Sequence, residues 1–208
     1  MNYPTCYISV DFETTGLVSA YDSPTALALV LFEDGEPTGE AFATRIKPSL
    51  KTKLSLEAFA VQAGDDALDP DKVADHLRAL FPPDAPSMVD AMRIAAEWCA
   101  SVGASRIANV AHKASFDWAF WDDRMMRCTT AFKTPPLSPV WYCTKTMAGL
   151  AWPDAKSGQL SLNAVCAALG IAGRTSQAHD AMEDAVLAGR AYWHLRRLLI
   201  GEPCEARR

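Results

Sequence analysis

The sequence predicts an α/β protein built around a five-stranded mixed sheet. Three strand-like segments follow one another near the N-terminus. Two more short strand-like segments lie downstream, and the rest of the chain after the third strand shows mainly helical periodicity. Consecutive strands with short connections pair as an antiparallel meander, whereas strands that alternate with helices are typical of α/β folds. The combination indicates a mixed sheet, with its first three strands antiparallel, flanked by α-helices.

The five strands are predicted from apolar alternation, segment length and bounding turn residues. In the first strand, polar side chains alternate with apolar ones, so each kind occupies one face. An acidic turn at residues 33–36 joins the second strand to the third as a hairpin. The expected ranges are Tyr7–Glu13, Thr25–Phe32, Ala41–Ile46, Arg106–Ala111 and Val140–Cys143.

Helices are predicted where apolar residues recur three and four positions apart. The helix over Ser87–Val102 has Ser87 as a candidate N-cap and an inward stripe that includes Val89. Another helix begins near Ser115, directly after the fourth strand. The remaining helices are expected at Leu54–Gln62, Asp71–Leu80, Ser161–Leu169 and Asp180–Ile200.

Composition narrows the class of protein. With 208 residues, half of them hydrophobic, the chain is expected to form a single domain over residues 1–208. No apolar run is long enough to span a membrane and no signal peptide is recognised, so a cytoplasmic protein with no membrane association is expected. The net charge of −5 argues against a protein that coats duplex DNA, but not against a nuclease that grips a strand end.

Acidic residues gather at the predicted carboxyl ends of two strands. Asp11 and Glu13 are two residues apart on the first strand and therefore project from the same face. Asp117 lies early in the helix that leaves the fourth strand. A hard divalent cation would relieve the repulsion between such carboxylates and use their oxygens as ligands. Taken singly, the pair also suits an exposed strand face, and Asp117 suits a helix N-terminus.

A third cluster opens the last helix. Asp180 and Asp184 are four residues apart and are expected to share a helix face, and His179 precedes them. A histidine beside carboxylates suits a general base near neutral pH, although a lone histidine is more often an ordinary surface residue. Arg174, which lies nearby, is interpreted as a solvated charge.

Together, the three clusters resemble a known family. Asp-x-Glu-Thr-Thr-Gly from Asp11, His-x-x-x-Phe-Asp ending at Asp117, and His-x-x-x-x-Asp ending at Asp184 closely resemble the motifs of DnaQ-like 3'-5' exonucleases of the DEDDh class. The resemblance extends from Val10 to Ala188. It implies a ribonuclease H-like fold and hydrolysis of phosphodiesters at 3' ends.

The resemblance also implies roles for individual residues. The four acidic residues Asp11, Glu13, Asp117 and Asp184 match the ligands of two divalent metal ions, Mg2+ or Mn2+, and His179 matches the general base. The candidates for substrate binding are Thr14, Thr15, Leu17, His112, Lys113 and Phe116. The threonines match contacts to the terminal 3'-hydroxyl, and Leu17 and Phe116 are placed to pack against the last bases. Lys113 stands where the family usually has asparagine.

The expected substrate is single-stranded nucleic acid with a 3' end, DNA slightly favoured over RNA, and the expected product is a nucleoside 5'-monophosphate. Two metal ions would serve the attacking and leaving oxygens, and His179 would take the proton of the water. Two alternatives stay open: a ribonuclease H-like endonuclease, and a non-catalytic or proofreading module of a polymerase. A homodimer and a replication partner are both compatible with the sequence.

Overall fold

The computed structural model describes residues 3–48, 54–64, 69–128, 136–175 and 178–202. Its sheet has five strands in the order β3-β2-β1-β4-β5. Strands β1 to β3 are antiparallel, while β4 is parallel to β1 and β5 is parallel to β4. The strands are β1 Cys6–Thr14, β2 Pro24–Glu33, β3 Glu36–Arg45, β4 Ala108–Ala111 and β5 Trp141–Cys143. The predicted fold class and the predicted order of strands along the chain are therefore confirmed.

The β2–β3 connection is the predicted tight hairpin. Asp34 and Gly35 both have positive φ angles, 49° and 87°, as a two-residue type I′ turn requires. Strand β3 begins five residues before the predicted start, directly after this turn. The first half of β3 is an exposed edge with little apolar alternation, which explains why the sequence pattern missed it.

Helices cover both faces of the sheet, and most lie where the periodicity predicted them. The eight-residue α5 is an exception, because it follows β5 without an intervening loop and has no side-chain N-cap bond. In the longer α3, Val89 is 53% exposed, so its predicted inward position is wrong, and Ala91 is buried in its place. The helices are α1 Leu56–Ala63, α2 Val73–Leu80, α3 Met88–Ser101, α4 Ala114–Cys128, α5 Thr144–Ala151, α6 Leu162–Ala168 and α7 Ala181–Ile200.

The two faces of β1 belong to two separate cores. Ile8, Val10 and Phe12 pack with α3 and α4 in one apolar cluster. Tyr7 lies in the other, with β2 and α7, where its ring stacks on Phe32 at a centroid distance of 5.2 Å. Alternation along the strand therefore directs Asp11 and Glu13 to the α7 side of the sheet.

Helix α7 lies directly against the sheet. The Tyr7 hydroxyl donates to the carbonyl of Gly189 at 2.9 Å, and a Cβ at Gly189 would stand only 2.4 Å from the Phe32 ring. This close approach holds the middle of α7 against strands β1 and β2. Among the described helices, none is both long and apolar enough to cross a membrane.

Candidate active site

Three elements bring the acidic residues together at one edge of the sheet. Asp11 and Glu13 come from the end of β1, Asp117 from the first turn of α4, and Asp184 from the first turn of α7. The backbone N–H of Phe12 donates to Asp117 Oδ1 at 3.2 Å, which ties the start of α4 to β1. The structure thus assembles in space the carboxylates that the motifs separate by more than 170 residues.

His179 joins this group from the segment before α7. Its Nδ1 lies 3.2 Å from Asp184 and 3.9 Å from Glu13. Ligand atoms of Glu13, His179 and Asp184 all lie within 4.8 Å of one another. Asp11 lines the same cavity as these three residues, and Asp117 is hydrogen-bonded to the N–H of Phe12, which lies between Asp11 and Glu13. All five residues predicted for the metal and base roles therefore meet at one site.

Burial that nearby cations only partly compensate raises the pKa of three of these carboxyl groups. Burial raises the pKa of Glu13 to about 7, partly offset by His179. Burial also raises the pKa of Asp117 to about 7, although the Phe12 N–H opposes it. Burial and the charges of Asp117 and Glu13 hold the pKa of Asp11 well above its ordinary value. A cluster of this kind favours a bound cation, because the cation stabilises all the ionised forms at once.

Asp184 behaves differently because it has a cationic partner. Arg174 donates to both of its oxygens, from Nε at 2.5 Å and from Nη2 at 2.6 Å. Burial raises the pKa of Asp184, but hydrogen bonds from His179 and Arg174 outweigh it and lower the pKa overall. The side chain of Arg174 is 9% exposed, so its interpretation as a solvated charge is wrong. Its Nη2 also lies 3.2 Å from Nδ1 of His179.

Helix α1 supports the site from outside the motifs. The His179 N–H donates to the carbonyl of Val61 at 3.0 Å, which anchors the histidine segment to α1. The buried Gln62 donates to the carbonyl of Thr14 at 2.7 Å and accepts from Thr25. Sequence reasoning missed Gln62 and Arg174 as site residues. A glutamine at the inward position of an amphipathic helix was the available indication for Gln62.

The expectation that Asp180 and Asp184 share a helix face is wrong. It is the N-cap of α7 in extended conformation, and its carboxylate accepts from the N–H groups of Met182 and Glu183. It also lies 3.7 Å from Arg45. Asp184, in contrast, lies on the buried face of α7. Although Asp180 and Asp184 are four residues apart, Asp180 caps the helix and Asp184 belongs to the site.

Four substrate-binding candidates line a cleft of about 500 Å3 beside the carboxylates: Thr14, Leu17, Lys113 and Phe116. The Leu17 side chain is 80% exposed, and the ring of Phe116 packs on Phe120 at 4.9 Å. The Thr14 hydroxyl donates to the carbonyl of Gly16. The Thr15 hydroxyl accepts from the Ser23 N–H, and its side chain is buried. The threonine hydroxyls thus shape the loop after β1, and the apolar side chains face the cleft.

His112 holds the other side of the cleft together. Its Nε2 donates to the carbonyl of Leu160 at 3.0 Å, and its Nδ1 lies 2.9 Å from the Thr144 hydroxyl. Burial lowers the pKa of His112 to about 4, and the charges of Lys145 and Lys113 act in the same direction. The ring is therefore neutral near pH 7 and connects β4, α5 and the short 3-10 helix at Ser157–Leu160.

Fold and site together define a class: a ribonuclease H-like α/β protein with four carboxylates and a histidine at the carboxyl edge of β1. The fold matches the nuclease domain of 3'hExo, a DEDDh family member bound to rAMP. That match has a TM-score of 0.65 and 16% identity, and covers 96% of this chain and 94% of the other. E. coli Exonuclease I in complex with a dT13 oligonucleotide matches at a TM-score of 0.65 and 18% identity, over 93% of this chain and 41% of the other.

A third match is Exonuclease X in complex with 5' overhanging duplex DNA, with a TM-score of 0.61 and 20% identity, over 96% and 95% of the two chains. The ribonuclease H-like fold and the resemblance to DEDDh exonucleases are confirmed by these structures.

Two curated sequences also match the chain. The chain is 27% identical over 200 residues to the PolC-type DNA polymerase III of Oceanobacillus iheyensis, covering 95% of this chain and 12% of that protein. It is 35% identical over 116 residues to the PolC-type enzyme of Bacillus subtilis, covering 55% of this chain and 6% of that protein. The chain thus spans about an eighth or less of these relatives. No protein-family model matches it.

Proposed function

We propose that this chain is a metal-dependent 3'-5' exonuclease that releases nucleoside 5'-monophosphates from single-stranded nucleic acid, DNA preferred over RNA. The observation that carries the proposal is the meeting of Asp11, Glu13, Asp117, Asp184 and His179 at one edge of the sheet, beside an apolar cleft. The preference for DNA is supported by the DNA polymerases among its relatives.

The donor set fits hard divalent cations. Carboxylate oxygens are the ligands that Mg2+ and Mn2+ prefer. The raised pKa values of Asp11, Glu13 and Asp117 reflect burial first and repulsion between carboxylates second, and a bound cation would offset both. We assign two such ions to Asp11, Glu13, Asp117 and Asp184. The chemistry supplied by bound ions of this kind is charge neutralisation on the phosphate oxygens and acidification of a water molecule.

We assign to His179 the role of general base. Its Nδ1 faces Asp184 at 3.2 Å, which orients the ring and leaves Nε2 to accept the proton of the attacking water. The side chain is 33% exposed, so that water can reach it. The hydrogen bond between its backbone and α1 holds the ring at the rim of the cleft.

The apolar cleft suits the terminal nucleoside. Leu17 and Phe116 supply contact surface that accepts any base, because every base has an apolar face. Thr14 places backbone and hydroxyl groups next to Glu13, where a 3'-hydroxyl would lie. Contacts of this kind bind a strand end and exclude a continuous strand, which favours exonuclease over endonuclease activity.

A partner is part of the proposal. Because the relatives are polymerases of which the chain covers a small fraction, we propose a replication polymerase as the partner in preference to a homodimer. The single domain over residues 1–208 is proposed as the catalytic unit.

The test uses 5'-labelled single-stranded DNA and RNA with Mg2+, Mn2+ or EDTA, beside Asp11→Ala. We expect a metal-dependent ladder that shortens from the 3' end and is absent with the variant. Discrete internal cuts would instead support a ribonuclease H-like endonuclease. A folded, metal-binding protein that leaves both polymers intact would refute the proposal for the isolated chain.

A further inference from the structure

The cleft continues past the carboxylates into a second compartment. This compartment has a volume of about 440 Å3 and lies between the end of β4, the start of α5 and the start of α6. It shares Lys113, His179 and Asp184 with the apolar cleft described above, which is the first compartment. The carboxylate group of Asp184 therefore stands at the boundary between two connected spaces.

The two compartments differ in chemistry. The first combines apolar side chains with four carboxylates, those of Asp11, Glu13, Glu57 and Asp184. The second has the cationic side chains of Lys113, Lys145 and Arg174, together with two serines and an asparagine. Among its described lining residues, Asp184 is the one carboxylate, and Arg174 already neutralises it. The second compartment is thus locally positive in a chain of net charge −5.

The backbones of the two lysines are both connected to His112. Lys113 follows His112 directly, and the Lys145 N–H donates to the carbonyl of His112 at 3.1 Å. The ring of His112 is fixed on both sides by Thr144 and Leu160. Both lysine side chains line the second compartment, and an anion that binds beside two like charges reduces their repulsion.

We propose that this compartment is a phosphate subsite, formed by Lys113 and Lys145, for the phosphodiester that lies one nucleotide 5' of the scissile bond. The proposal rests on the exonuclease function. With the terminal nucleoside in the apolar compartment and the scissile phosphate at the carboxylates, the strand leaves past Lys113 into the second compartment. Lysine binds phosphate as a point charge and reads no sequence, which suits an enzyme that removes any nucleotide.

The subsite also explains how an acidic protein holds a strand. Binding spread over a surface needs many phosphate contacts, and the net charge of −5 opposes it. Two lysines beside the reaction centre concentrate the attraction on one linkage. A short oligonucleotide with one charged linkage beyond the scissile bond then gains most of the available affinity.

The experiment combines a change in the substrate with a change in the protein. Single-stranded DNA is prepared with an uncharged methylphosphonate at the second linkage from the 3' end, or at the sixth linkage as control. We expect the methylphosphonate at the second linkage to raise the KM of the wild-type protein about tenfold, because one charge-assisted contact is lost. The methylphosphonate at the sixth linkage should leave the KM unchanged.

Lys145→Met is expected to raise KM for unmodified DNA by a similar factor with little change in kcat, and to lose the sensitivity to the uncharged second linkage. Lys113→Met gives the same test if the first variant does not fold. Lys72→Met, which removes a lysine outside both compartments, is the matched control. If the effects of the variant and of the uncharged linkage multiply, the lysine and the phosphate act independently and the subsite is refuted.

A small ester separates this inference from the function on which it rests. The p-nitrophenyl ester of thymidine 5'-phosphate has a scissile phosphodiester but no second phosphate. Hydrolysis of this ester by the wild type and not by Asp11→Ala supports the reaction centre without involving the subsite. Absence of hydrolysis of both ester and DNA overturns the function, whereas DNA cleavage that ignores the second linkage overturns the subsite alone.

Discussion

Replacement of Arg174 tests whether its guanidinium stabilises the carboxylates in place of a divalent cation. Both oxygens of Asp184 accept from Arg174, and the two side chains are 4% and 9% exposed. Arg174→Met keeps the apolar stem and leaves Asp184 buried beside Asp11 and Glu13. Breaking a buried ion pair by removing one partner costs about 3–5 kcal/mol, and we expect about 3 kcal/mol because Asp184 can take up a proton.

The measurement is urea unfolding of both proteins at pH 7.5, in EDTA and in saturating Mn2+. The full loss is expected in EDTA. In Mn2+ it should fall below about 1 kcal/mol, because a bound cation supplies the missing positive charge and stabilises the folded state by mass action. Calorimetric titration should show tighter Mn2+ binding by the variant, since no guanidinium has to leave Asp184.

A matched control is available in α3. Arg93 forms an ion pair with Glu97 at 2.7 Å, but both side chains are more than half exposed. Arg93→Met should therefore cost under about 1 kcal/mol in either buffer. Equal destabilisation of Arg174→Met in EDTA and in Mn2+ would refute the reasoning, because Arg174 would then act together with the cation and not in its place.

Three further predictions concern packing, pH and the cleft. Gly189→Ala should lower the free energy of unfolding by about 1–3 kcal/mol, because its Cβ would overlap the buried Phe32 ring. Gly158 has open space around it, so Gly158→Ala should leave the free energy of unfolding unchanged. Equal free energies of unfolding for the two variants would contradict this. In EDTA, the wild type should lose stability as the pH rises through about 7, since folded Asp117 holds its proton more tightly than the unfolded chain does. The free energy of unfolding of Asp117→Asn, measured by urea titration, should fall less between pH 5.5 and 8 than that of the wild type. Parallel pH profiles of the two proteins would exclude Asp117 as the cause. Leu17→Ala should raise KM for single-stranded DNA about tenfold at unchanged stability, because Leu17 is 80% exposed; an unchanged KM would remove Leu17 from the substrate site.

The sequence by itself determined the fold class and the members of the acidic cluster. Alternation in β1 places Asp11 and Glu13 on one face, and this follows from strand geometry alone. The helix patterns around Asp117 and Asp184 identified the other two elements. Local periodicity placed Asp11, Glu13 and Asp117 at one end of the sheet, whereas the resemblance of the three motifs to the DEDDh class distinguished Asp184 from Asp180.

Only the tertiary structure decided how the cluster is stabilised. Arg174 lies outside the helices and strands, where no periodicity indicates the direction of a side chain, and its partner Asp184 is ten positions away in the sequence. Gln62 and Lys145 likewise reach the site through packing of α1 and α5 against distant parts of the chain. Contacts between elements depend on the whole core, because side-chain neighbours across helices and strands are set by packing and not by local propensity.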